Sequence, residues 1–321
     1  MKRIPILLLA ASVLAASLAA CGSPAASSSS AAPSSASSSA AQAYTFTDDL
    51  GRTVTVEQPE RVAALIGSFA DVWCLAGGQS TLVAAAHDAW TSFDLGLSDT
   101  AADLGAVKEP NLEVLLAAQP DFILASCNTT ADLELESTFE SAGIPTAYFD
   151  IQSFDDYLNM LKICTCLTGC PENYETYGLQ VQEQVEAAKA RQDGSAPTVL
   201  TIRATGSSCK VKGSQDFLLG EMLSDLGCVN VADSETSLLE ELSLESILAA
   251  DPDYIFVVLQ GSDATDAQET LEKTLLSNPA WGSLRAVQEG RFHTLEHSLY
   301  NLKPNARWGE AYEKLADILY P

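Results

Sequence analysis

One twelve-residue segment occurs twice in this chain. Leu112-Glu113-Val114-Leu115-Leu116-Ala117-Ala118-Gln119-Pro120-Asp121-Phe122-Ile123 returns as Leu244-Glu245-Ser246-Ile247-Leu248-Ala249-Ala250-Asp251-Pro252-Asp253-Tyr254-Ile255, with eight identical positions at an offset of 132. Each copy reads as a short helix stopped before proline, then a strand rich in aromatic and β-branched residues. A weaker echo relates the helix after Phe69 to the helix after Phe217. Two copies are too few to stack into a solenoid, so the pattern predicts two related lobes.

The rest of the chain keeps the same rhythm. Short β-type runs at 62–66, 81–86, 121–125 and 146–150 alternate with amphipathic helical stretches. The second half repeats this with runs at 198–203, 229–232, 254–259 and 291–295. Such alternation is the signature of α/β architecture. Between the halves, residues 171–192 carry Val181 and Val185 among Glu, Gln, Lys and Arg, with Pro171 near the start and Gly194 and Pro197 beyond the end. So narrow an apolar face predicts a solvent-bridging helical strut, roughly 30 Å long, with limited hinge motion. The predicted fold is two similar α/β lobes, 44–168 and 195–321, joined by a single long backbone helix within 169–194.

The N-terminus reads as a targeting segment. Lys2 and Arg3 precede an uncharged apolar stretch that is short for a membrane span, which needs about 20 apolar residues. Residues 1–20 therefore fit a signal peptide. Its end, Leu18-Ala19-Ala20-Cys21, resembles the lipobox of bacterial lipoproteins, which implies lipid on Cys21 and an anchor to the cell membrane. The Ser/Ala/Pro segment that completes 21–43 is expected to be a disordered tether of roughly 25 Å root-mean-square span.

Beyond Lys2 and Arg3 the chain has 43 acidic side chains against 15 basic ones. That field repels phosphate backbones and excludes nucleic acid as a partner class. The few cations therefore stand out. Of the eight cysteines, Cys164, Cys166 and Cys170 form a cluster that no nearby histidine completes into a four-ligand metal set, so no metal site is expected. The pairing of these and of Cys74, Cys127, Cys209 and Cys228 is open. Three histidines and no G-x-S-x-G, P-loop or H-E-x-x-H motif argue against an enzyme. A surface hydrolase and an adhesion or scaffold lipoprotein are the alternatives from other classes.

From Tyr44 onward the chain resembles the class III substrate-binding proteins of ABC importers for ferric siderophores, haem and cobalamin. The resemblance rests on Phe46-Thr47-Asp48-Asp49-Leu50-Gly51-Arg52, on Pro59-Glu60-Arg61-Val62, on Asn111-Leu112-Glu113 with Pro120-Asp121, and on the strut between two lobes. It implies a monomeric extracytoplasmic protein with ligand in the interlobe cleft. It also implies an ABC permease as membrane partner, docked through acidic residues on each lobe: Glu134 or Glu136, and Glu269 or Glu272. General physics puts ligand in the same place, at the carboxyl ends of the strands. Candidates there are Ser68 and Phe69 at a helix start, Trp90 in a polar loop beside His87 and Asp88, and Asn128 with Ser126 and Thr129 after the third run.

In the second lobe Arg203 ends a strand, and Lys210 and Lys212 follow in the expected loop 204–214. Three cations in so acidic a chain point to an anionic ligand group. Tyr300, Arg307 and Trp308, near His297, Lys303 and Asn305, complete the set. Each has a structural alternative: helix cap, turn, salt bridge or helix lock. No cofactor of the protein itself is expected; the ligand brings Fe3+ or is haem or cobalamin. Haem would require an axial ligand such as His87, His297 or Tyr300. The cation count favours a ferric siderophore.

Overall fold

The duplication extends to the backbone. The computed structural model describes residues 43–215, 217–240, 242–261 and 264–321. Residues 1–42, with the signal segment, Cys21 and nearly all of the tether, lie outside the described residues. In the two copies of the repeat, helices Leu112–Ala117 and Leu244–Ala250 are capped by Asn111 and Ser243, whose side chains accept from the amides of Val114 and Ser246. Both helices end in a left-handed non-glycine residue before the proline, Gln119 (φ +50°) and Asp251 (φ +39°). The following aspartates act alike. Asp121 accepts the amides of Glu60 and Arg61, and Asp253 accepts the amide and hydroxyl of Thr198. Each carboxylate thereby fastens the entry of its lobe's first parallel strand.

That strand is β3 (Val62–Ala64) in the first lobe and β8 (Thr198–Ala204) in the second. The first sheet adds β4 (Leu82–Ala85), β5 (Ala102–Asp103), β6 (Phe122–Ser126) and β7 (Thr146–Phe149), in the order β5-β4-β3-β6-β7, all parallel. The second adds β10 (Val229–Asn230), β11 (Tyr254–Leu259) and β12 (Phe292–Leu295), in the order β10-β8-β11-β12, also parallel. Strand order reverses between β3 and β6 and again between β8 and β11, so each sheet has a switch point at which α/β proteins bind ligands.

Several expectations are corrected. Residues 204–214 are not a loop: β9 (Cys209–Lys212) folds back antiparallel on β8, because alternate Cys209 and Val211 bury into the second lobe. The run at 229–232 divides into β10 and a helical turn, Val231–Ser234, capped by Asn230. A hairpin of β1 (Tyr44–Thr47) and β2 (Thr53–Val56) precedes the first lobe. Its turn closes on Gly51 (φ +77°), and Arg52 clamps it by binding Asp48, Glu136 and the Thr146 carbonyl while lying over the Tyr148 ring.

The strut runs through Pro171–Tyr174, a π-turn at Glu175–Leu179 and Gln180–Lys189. It is not solvated all round. Val181, Val185 and Ala188 are buried, and the C-terminal helix Trp308–Leu319 packs along it. Gly309 permits the approach, since a Cβ there would collide with Gln184. One apolar core therefore runs from helix Gly67–Leu75 and helix Phe154–Thr168 through the strut to helices Leu218–Asp225 and Trp308–Leu319, joining both lobes. Among the described residues, no helix is long and apolar enough to cross a membrane.

Candidate ligand site

A cavity of about 680 Å3 lies where the start of the first lobe's helix Phe154–Thr168 faces the second lobe. Ser153, the residue that caps this helix through a reciprocal box with Asp156, contributes the first-lobe wall. Opposite stand Gly213, Ser214 and Gln215 after β9, and Glu221, Ser224 and Asp225 on helix Leu218–Asp225. Asp233, Leu239, Trp308 and Tyr312 close it. The volume falls in the range of small-molecule sites, and both lobes form the walls.

Electrostatics here are acidic. Asp225 meets Lys189 at 3.0 Å and accepts the Tyr312 hydroxyl at 2.9 Å; Asp233 accepts the Ser214 amide. The Glu221 amide donates to the Phe217 carbonyl, but its carboxylate has no hydrogen bond or ion pair among the described residues. Burial, then the nearby Asp156, Asp225 and Asp150, push its carboxyl up to about 6. Asp150 in turn accepts from Asn128 and Gln152, which places Asn128 at the first-lobe rim beside this acidic group. Lys303, half-buried, donates to the Ile151 carbonyl and lies near Asp150 and Asp156.

Arg203, Lys210 and Lys212 come together through the hairpin. Arg203 pairs with Lys210, and Thr201 with Lys212, in antiparallel register. Directly opposed residues share a sheet face, so all three cations project from one face of β8–β9. Arg203 and Lys210 have no ion pair among the described residues, and the half-buried Arg203 leaves its Nε without a partner. Unneutralised like charges on paired strands are unfavourable unless an anion joins them. Lys212 leads directly into Gly213 on the cavity wall.

Other candidates are used by the fold. Phe69 is wholly buried, edge-on to Phe149. Tyr300 is 1% exposed and donates to the Ala311 carbonyl, so it has no free phenol for an iron centre. Trp308 packs on Phe154 and Tyr312, yet it also lines the cavity. Ser68 is buried one residue inside its helix, and the leading amide, from Gly67, is bound by Asp88 rather than left for an anion. Arg307 is saturated by Glu296 and Glu310 and borders a separate cavity of about 270 Å3. Trp90 is half-buried against the first-lobe core. His87 binds Asp103 at 2.6 Å, and His297 lies beside Asn301, its burial disfavouring the charged ring.

Of the acidic residues, Glu134, Glu269 and Glu272 are exposed on helices that follow β6 and β11, whereas Glu136 is held by Arg52. All seven described cysteines are free thiols, and no group of metal-ligating side chains occurs among the described residues. Sequence reasoning missed Glu221, Asp225, Asp233 and Tyr312. Their helical positions are unremarkable in a chain with 43 acidic residues, and only packing brings them to one cavity.

With two sheets, two switch points and a cavity between lobes described, comparison decides the class. Residues 62–299 match the family described as periplasmic binding protein. The chain belongs to that family. Among relatives of this periplasmic binding protein, the iron-uptake system-binding protein of Bacillus subtilis is 26% identical over 222 residues, 68% of this chain and 67% of that one. The Fe(3+)-citrate-binding protein YfmC of Bacillus subtilis is 24% identical over 262 residues, 79% and 78% of the two chains. Staphylococcus aureus SirA, solved with staphyloferrin B, shares the fold at a TM-score of 0.64 and 22% identity, covering 86% of this chain and 97% of its own.

Proposed function

We propose that this periplasmic binding protein captures an iron chelate outside the cytoplasm, in the cleft between its lobes, and delivers it to an ABC permease. The observation that carries this is the duplicated pair of lobes around a cavity of about 680 Å3, in a chain whose relatives include proteins named for iron uptake and ferric citrate. A chelate brings its own metal ligands. The protein then needs only charged and aromatic contacts. Arg203 and Lys210, with Lys212, form the anion-facing edge, and Asn128 the facing rim. Glu134 on the first lobe and Glu269 or Glu272 on the second supply the docking acids for permease cations, a pairing of charge that sets register and encounter rate. Cys21 carries the lipid that keeps the body at the membrane.

The test is a thermal-shift panel of ferric siderophores, ferric citrate, haem and cobalamin on the soluble body. A ligand at 100 times its dissociation constant stabilises by about 2.7 kcal/mol. Iron chelates raise Tm while haem and cobalamin do not; stabilisation by haem or cobalamin alone would overturn the iron reading. Arg203→Ala weakens an anionic chelate by about tenfold or more, the scale of a charge-assisted contact; unchanged affinity removes Arg203 from the site. Cys21→Ala moves the protein from the membrane fraction to the soluble one, and lipid labelling that persists in the variant would refute the anchor.

A further inference from the structure

We infer that Lys303 is a positioning residue of the solute cleft: from the second lobe it holds the first-lobe segment Ile151–Ser153, which supplies one wall of the cavity. This deepens the solute-binding reading and rests on it. The Lys303 amine crosses between the lobes and donates to the Ile151 carbonyl at 2.6 Å. Three residues on, the Phe154 ring lies edge-on to Trp308 of the C-terminal helix, with ring centroids 5.8 Å apart. Between these two holds stand Gln152 and Ser153, and Ser153 lines the cavity. Ile151, Phe154 and Trp308 are all buried, and close packing around them leaves the segment little room to shift by itself. The first-lobe wall is therefore carried by the second lobe at both of its ends.

Charge explains why this hold is a lysine. Asp156 accepts the Gln152 and Ser153 amides, and Asp150 accepts from the side chains of Asn128 and Gln152. These two carboxylates organise the wall and the Asn128 rim, and the half-buried Lys303 ammonium lies in the field of both. Drawing an ammonium out of water onto a carbonyl is costly: burial lowers the Lys303 pKa, with Asp150 and Asp156 opposing. An apolar side chain of similar length would fill the space without that cost, so the amine serves position rather than stability. Asn305 crosses between the lobes as well, but to Ser68 and Asp71, neither of which lines this cavity. The two crossings can therefore be cut separately.

The test is hydrogen–deuterium exchange on the purified full-length protein, on Lys303→Met and on Asn305→Ala, with folding checked by circular dichroism. In Lys303→Met the Gln152 and Ser153 amides exchange about tenfold faster, the scale of one lost charge-assisted hydrogen bond, while the rest of helix Phe154–Thr168 keeps its protection. Asn305→Ala lowers protection without singling out these two amides. Unchanged exchange at Gln152 and Ser153 in Lys303→Met, or a rise spread evenly over the first lobe, overturns the inference. Ferric citrate, titrated by calorimetry, binds Lys303→Met about tenfold more weakly than the wild type. Equal affinity for the two proteins overturns the positioning role. A wild type that binds no ferric citrate, with the local exchange as expected, upholds the hold on the wall and tells against the iron reading alone.

Discussion

Asp132 shows how one buried group can set the pH response of this fold. It is fully buried; one carboxylate oxygen accepts the Ser126 amide and the other has no partner. Burial pushes its carboxyl from 3.8 up to about 7, with the Ser126 bond opposing. A raised acid means the folded state holds a proton that the unfolded state releases, so stability falls as pH rises from about 4 to 7 and is level above. Asn keeps the acceptor for Ser126 and removes the charge. Asp132→Asn should therefore stabilise the protein by roughly 4 kcal/mol at pH 8 and by nearly nothing at pH 4, read from denaturant midpoints. A gain that did not grow across that window would show the carboxylate is relieved some other way. At this scale scarcity makes the cations legible in the sequence, and abundance hides the carboxylates. Arg203, Lys210 and Lys212 stood out because cations are scarce, while Glu221 was one acid among 43.

At the scale of elements, the approach of helix Leu218–Asp225 to the turn after β9 depends on Gly220. A Cβ there would collide with the Gly213 carbonyl oxygen and meet Ser214 Cα at 2.9 Å, both backbone atoms. Gly220→Ala gains about 1 kcal/mol in helix propensity but forces this turn outward, at a cost of about 1–3 kcal/mol. The expected result is a lowered Tm together with weakened solute binding, since Gly213 and Ser214 line the cleft; an unchanged Tm would show that the turn yields freely. Ser153→Ala, which removes one arm of the capping box, should cost about 1 kcal/mol by the same measurement. The helix–strand alternation was readable because periodicity is local. Strand β9 was not, since Cys209-Lys210-Val211-Lys212 is only four residues long and becomes a strand by pairing with β8. Phe69 and Tyr300 carry no local signal that separates a cleft aromatic from a core one, and only packing shows both enclosed.

Taken whole, the molecule is less separable than two lobes and a rod. The core that joins the lobes passes through five helices, and Asn305 stitches the C-terminal segment to the first lobe by donating to Ser68 O and Asp71. Differential scanning calorimetry of the body should show one cooperative transition, with calorimetric and van't Hoff enthalpies equal. Two resolved transitions would mean the lobes fold apart. Asn305→Ala leaves the Ser68 carbonyl without this donor and should lower stability by about 2 kcal/mol. The shared core also implies that closure on a solute is a small adjustment rather than a wide hinge.

By itself the sequence determined the class of architecture, the division into related halves and the joining helix, and it singled out the strand ends as candidates for meeting a solute. These follow from repeats, periods and turn residues that act over a dozen positions. Tertiary structure alone decided which side chains those strand ends present. Whether Trp308 faces core or cleft, and whether Arg307 is free or saturated, depends on neighbours far along the chain. The physical reason is that burial and charge neutralisation are properties of what packs against a residue, and no local pattern encodes them.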